Sequence, residues 1–194
     1  HCHTRRQRQM CIRDSMTASK YSDGPIFCRY PRGEGEGVDI TDISQDVKIG
    51  KGRIVKRGKD LAILALGTRL GSALKVADYL LQYNLKITVA DARFAKPIDT
   101  QLVEKLWNEH QKLIIIEEGS AGGFSSHCLH FLSSKDLLNK HDKEIKCLTM
   151  PDNFQDHASQ KEQLAKAGLD TDGLMKVVSK MIPLSNVKNK SITN

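Results

Sequence analysis

Four apolar runs recur between residues 59 and 150 of this chain: KDLAILALG (59–67), LKITVADA (85–92), KLIIIEEG (112–119) and EIKCLTM (144–150). They follow one another about every 25 to 30 residues, and helical patterns fill the gaps. In the first gap Leu70, Ala73, Leu74, Ala77, Leu80 and Leu81 recur at three and four, one apolar face of a helix. In the second, Pro97-Ile98-Asp99 opens a helix that runs to about His110, with Asp99 as cap and Ile98 packing on Val103 as a staple. In the third, GGFSSHCLHFLSS (122–134) reads as a helix opened by glycines. Strands that are apolar throughout, alternating with helices, mean βαβ crossovers and a sheet covered on both faces. The pattern predicts an α/β fold, three-layer α/β/α, with a mostly parallel sheet.

Flanking segments extend this reading. GRIVKRG (52–58) is a short strand with a turn. SQKEQLAKAG (159–168) is helical and closed by Gly168, and Asp170 caps a last helix through Met181, stopped before Pro183. Ahead of the domain, IFCRY (26–30) is strand-like and ends at Pro31, which cannot donate to a ladder. The expected division is residues 16–33 as the end of a preceding domain, 34–48 as a Gly, Glu and Asp rich linker, 49–183 as the α/β domain and 184–194 as a disordered tail.

The net charge of +7 raises the question of nucleic acid. Arg5, Arg6, Arg8 and Arg13 against Asp14 supply three of those charges. Residues 5–15, RRQRQMCIRDS, are also what one frame of a widely used transposase sequencing adapter encodes. We therefore expect residues 1–15 to be translated adapter and disordered, which leaves +4 spread along the chain. The case for nucleic acid then falls away. No apolar run is long enough to span a bilayer, and nothing resembles a secretion signal. The five cysteines show neither CxxC nor zinc spacing, so buried free thiols in a reducing cytoplasm are expected.

Parallel α/β sheets place ligands at their strand-to-helix turns. Here those turns are ALGTRLGS (65–72), DARFAKPID (91–99) and EEGSAGGFSS (117–126). The third is glycine-rich but is not GxGxxG and follows the wrong strand for a dinucleotide site. Gly119, Gly122 and Gly123 are better explained by close packing and a tight turn. Glu117 and Glu118 stand at a strand end, where carboxylates act as general bases or, more often, cap amides or face a partner subunit. Without a visible partner group, neither is assigned a catalytic role. His127 and His130 are spaced i, i+3 but lack a third ligand, so core or interface packing is expected; His141 and His157 complete no ligand set. No GxSxG or HExxH occurs. Earlier in the chain, Arg29 and Arg32 flank a stiff Tyr-Pro pair before a glycine run, CRYPRGEGEG (28–37). From the residues alone this is equally a phosphate clamp or a surface arginine beside a linker.

Residues 20–182 resemble the C-terminal part of the 1-deoxy-D-xylulose-5-phosphate synthase family, a transketolase-like group. YSDGPIFCRYPRGEGEG, IGKGRIVKRGKDLAILALGT, DARFAKPID, IIIEEGSAGGFSSH, MPDNFQDHAS and LAKAGLD carry the resemblance, in family order and spacing. DARFAKP with EEG and GGF separates this family from transketolase itself and from the pyruvate dehydrogenase β subunit. The resemblance implies a transketolase C-terminal-type domain, with 16–33 as the end of a pyrimidine-binding domain. It implies a cytoplasmic homodimeric transferase using thiamine diphosphate and Mg2+. That enzyme condenses pyruvate with glyceraldehyde 3-phosphate and releases CO2, feeding isoprenoid, thiamine and pyridoxal synthesis. By the same resemblance Arg32 helps hold the acceptor's phosphate and Arg29 is structural. The family's diphosphate and metal ligands and its activating glutamate lie in segments that have no counterpart here. The expectation is thus a chain that binds no cofactor alone and is inactive by itself. The competing expectations are a non-catalytic dimerisation module, or a piece of a 2-oxoacid dehydrogenase β subunit.

Overall fold

The computed structural model describes residues 15–29, 47–139 and 142–182. The chain divides into two compact units, one ending at Lys51 and the other beginning at Gly52. In the first unit residues 15–20 are helical, and the Thr17 hydroxyl accepts a hydrogen bond from the Val47 amide. The expected strand at 26–30 does not form over 26–29, which carry no regular structure. A strand needs a neighbour to take its backbone groups, and Phe27, whose side chain should have packed on a sheet, is 95% exposed. Residues 1–14 of the adapter-like stretch, 34–46 of the linker and the tail lie outside the described residues, as do Arg32 and His141, while Ser15, expected to be disordered, begins the 15–20 helix.

The second unit holds five strands, β1 (Arg53–Lys56), β2 (Leu61–Ala65), β3 (Ile87–Asp91), β4 (Lys112–Ser120) and β5 (Glu144–Met150). Their order in the sheet is β1-β3-β2-β4-β5. β2, β3, β4 and β5 are parallel, while β1 runs antiparallel beside β3 at one edge. The helices are α1 (Arg69–Leu80), α2 (Thr100–Glu109), α3 (Phe124–Ser134), α4 (Gln160–Lys166) and α5 (Thr171–Met181).

Strand alternation sends successive side chains to opposite faces, and the core divides accordingly. Leu61, Ile63, Ile87, Val89, Ile114 and Ile116 pack with Ala73, Val76 and Leu80 of α1 and Leu174 and Val178 of α5. Ala62, Leu64, Ala90, Leu113 and Ile115 pack on the other face with Leu102, Leu106 and Trp107 of α2 and Phe124 and Cys128 of α3. The predicted three-layer architecture is thereby realised, with α1 and α5 on one face and α2 and α3 on the other. Each large core side chain is worth roughly 1.5–3 kcal/mol of transfer free energy.

Candidate functional site: the carboxy-terminal edge of the sheet

At the end of β3 the chain makes a sharp reversal centred on Arg93. Arg93 has φ of 60°, a left-handed conformation that non-glycine residues seldom adopt. The Phe94 amide donates to the Ala92 carbonyl at 2.6 Å, so Arg93 occupies the centre of a γ-turn. Asp91 holds this turn from below: its Oδ1 accepts the Arg93 amide at 3.2 Å. Its Oδ2 accepts Arg53 Nε at 3.1 Å and lies 3.8 Å from Arg93 Nε. Arg53 is delivered by register, because it pairs directly with Asp91 across the antiparallel β1–β3 ladder. Gly52 permits that approach, since a Cβ there would meet the Asp91 carbonyl at 2.7 Å. The result is two guanidiniums on one largely buried carboxylate, with the Arg93 side chain 26% exposed at the sheet's edge. Two guanidiniums against one carboxylate give this edge one net positive charge, the electrostatic condition for holding an anion.

The turn after β4 does something different. Glu117 is buried, and its carboxylate accepts from the amides of Phe124 (3.0 Å) and Ser125 (2.7 Å) and from the Ser125 hydroxyl (2.8 Å). It fills the N-terminus of α3, where an exogenous anion would bind in a nucleotide-binding turn. Gly119 and Gly123 make room for it: a Cβ would come within 2.5 Å and 2.7 Å, respectively, of Glu117 Oε2. Glu118 pairs with Arg69 at 3.0 Å and accepts from the Thr68 hydroxyl. Buried Arg69 in turn reaches the Leu169 carbonyl at 2.7 Å, tying α1 to the α4–α5 connection. Both glutamates are therefore bonded to their own chain.

The thiols divide by position. Cys128 is buried, and its pKa is pushed up to about 12 by burial and by the neighbouring Cys147 and Glu117 charges. Burial also raises the Cys147 thiol, against a lowering hydrogen bond from Ser125. Cys28 is exposed, contrary to the expectation of buried thiols, because the strand expected to carry it into a sheet does not form over 26–29. His127 and His130 are exposed on α3 rather than packed in the core: the apolar face of α3 runs through Phe124, Cys128 and Leu132 instead. His157 is exposed, as is Arg29.

Among the described residues the buried histidine is His110, which no motif in the sequence marks. Its Nδ1 donates to the Leu106 carbonyl at 3.0 Å, and its Nε2 lies 2.8 Å from the Thr88 hydroxyl. Nor does the sequence alone point to Arg53 or Arg93, although 91–99 is a ligand-placing turn by its position after a strand. The available signal was an aspartate and an arginine two apart at a strand end, with a further arginine just past a glycine.

The family-implied cofactor does not fit the described residues. Among them no three His, Cys, Asp or Glu side chains gather to hold a metal ion. The glycine-rich turn that could have cradled a diphosphate is filled by Glu117. No helix among the described residues is long and apolar enough to cross a membrane.

The family model described as "Transketolase, C-terminal domain" matches residues 50–174. Among solved structures, a split-gene transketolase described as an inactive β4 tetramer is 26% identical with a TM-score of 0.64. That match covers 76% of this chain and 47% of the other. Transketolase from Campylobacter jejuni subsp. jejuni NCTC 11168 is 19% identical with a TM-score of 0.45, over 70% of this chain and 19% of that one. The chain thus spans about half the length of the first of these proteins and about a fifth of the second. A domain-length match, together with the mostly parallel α/β/α sheet that it covers, establishes that this chain belongs to the transketolase C-terminal domain family.

Proposed function

We infer that this chain is the carboxy-terminal portion of a 1-deoxy-D-xylulose-5-phosphate synthase, working with pyruvate and glyceraldehyde 3-phosphate in a thiamine-diphosphate- and Mg2+-dependent homodimer. Its own share is recognition of the phosphorylated acceptor. Cofactor chemistry belongs to the other half of the enzyme. The observation that supports this reading is the strained, arginine-bearing turn after β3. Strain of that kind persists where the surroundings hold it for a purpose. The turn also lies in DARFAKPID, the string that separates the synthase from its relatives. Arg32, in the YPRG string, is the second proposed phosphate ligand.

The test uses the enzyme formed by this chain with its cofactor-binding half. A hydrogen bond to a charged group is worth roughly 1.5–3 kcal/mol. Arg93→Ala and Arg32→Ala should each lower kcat/KM for glyceraldehyde 3-phosphate by about ten- to a hundredfold, at about 1.4 kcal/mol per decade. Pyruvate affinity and turnover of a non-phosphorylated aldehyde should hardly change. Equal losses with both acceptors would show that these arginines support the fold and not the substrate.

The likeness to an inactive β4 tetramer favours a second reading, a self-associating module without catalysis of its own. Failure of this chain to restore turnover when combined with the cofactor-binding half of a synthase would favour that reading.

A further inference from the structure

We propose that Asp91 is a positioning residue for acceptor recognition: it holds Arg93 in its turn and aims the guanidinium. The proposal rests on the reading of Arg93 as a phosphate ligand. The geometry gives one carboxylate three tasks. Oδ1 accepts the Arg93 amide, the bond that holds the left-handed backbone in place. Oδ2 faces Arg93 Nε at 3.8 Å and restrains the direction of the fork. The same oxygen accepts Arg53 Nε at 3.1 Å, anchoring the assembly to β1. Asp91 itself is 8% exposed and fixed by backbone pairing to both β1 and β2. It is thus a rigid base beneath a residue whose preferred conformation lies elsewhere.

This role has a sign that bulk electrostatics does not. Asp91→Asn removes a negative charge beside the anion site, so Coulomb attraction alone would tighten phosphate binding. Loss of aim would weaken it. An asparagine keeps the volume and an acceptor oxygen but neither the charge-assisted bond to Arg53 nor the ion pair with Arg93. Asp91→Glu keeps the charge and displaces it by one methylene. On the positioning account both substitutions weaken the acceptor.

The experiment measures kcat and KM in the same two-half enzyme for glyceraldehyde 3-phosphate and for a non-phosphorylated aldehyde, in Asp91→Asn, Asp91→Glu, Arg93→Ala and Asp91→Asn/Arg93→Ala. Both Asp91 variants should raise KM for the phosphorylated acceptor about five- to tenfold, a share of one charge-assisted bond. The non-phosphorylated acceptor and kcat should stay close to wild type. The double variant should be no worse than Arg93→Ala, because Asp91 acts through Arg93. A lower KM in Asp91→Asn, an additive double variant, or equal losses with both acceptors would overturn the positioning role while leaving Arg93 as a ligand. An Arg93→Ala enzyme that keeps the wild-type preference for the phosphorylated acceptor undiminished would overturn the underlying reading, and the positioning role with it. If Asp91→Asn does not fold, Asp91→Glu carries the same comparison.

Discussion

Glu117 explains why the glycines of EEGSAGGF are where they are. Its three bonds satisfy donors at the start of α3, and Gly119, two residues on along β4, leaves space for the carboxylate that makes them. The sequence could suggest a tight turn but not its occupant, since the contact joins a strand end to a helix that starts seven residues later. Gly119→Ala should therefore act through Glu117. A Cβ at 119 would sit 2.5 Å from Glu117 Oε2, so the carboxylate has to leave its amides. A buried unsatisfied group costs roughly 1–3 kcal/mol, and that is the expected destabilisation. In a Glu117→Ala background the same substitution should cost little, and the coupling is read from a double-mutant cycle in urea. Independent, additive losses would show that residue 119 is a glycine for another reason. Asp91 and Arg93 teach the same lesson: their residue types were visible in DARFAKPID, but the γ-turn and the cross-strand arginine required the β1–β3 register.

Elements were far more legible than contacts, for a physical reason. β2, β3 and β4 are covered on both faces, so their apolar runs survive in the sequence, and Asp99 and Asp170 cap α2 and α5 as their positions suggest. The exact helix face was less clear. On α1 the buried residues centre on Ala73, Val76, Ala77 and Leu80, while Leu81 is left 47% exposed. IFCRY read as a strand because its composition suits one, but pairing is not a local property. Lys143 shows how far apart an element and its support can lie. Its Nζ donates to the Trp107 carbonyl at 2.6 Å and the His110 carbonyl at 2.9 Å, at the C-terminal end of α2. A cation there satisfies orphan carbonyls and complements the helix dipole. Lys143→Met keeps most of the stem and removes the donor. It should lower unfolding stability by about 1–2 kcal/mol, seen as a shifted urea midpoint with an unchanged slope. No shift would mean that water serves those carbonyls equally well.

At the scale of the whole molecule, the distribution of carboxylates decides what the second unit can bind. Four of its five described α-helices open on a carboxylate that accepts a backbone amide: Asp99 at α2, Glu117 at α3, Glu162 at α4 and Asp170 at α5, whereas at α1 Glu118 bonds the Thr68 hydroxyl and the Arg69 guanidinium instead. Helix N-termini are where backbone donors normally receive phosphates. Here the family's α/β scaffold is present, and at those four ends backbone donors are already paired with the chain's own anions. A diphosphate brought to any of these ends would displace an internal carboxylate and meet its charge, and no described cluster offers a metal to bridge the two. On the function proposed above, the acceptor's phosphate goes to the arginine turn at the end of β3 and not to a helix end. Calorimetric titration of this chain with thiamine diphosphate in the presence of Mg2+ should accordingly show no saturable heat. Titration of the enzyme containing its cofactor-binding half should show binding. A micromolar dissociation constant for the chain alone would mean that the helix ends exchange their internal carboxylates for cofactor, and the division of labour between the two halves would have to be redrawn.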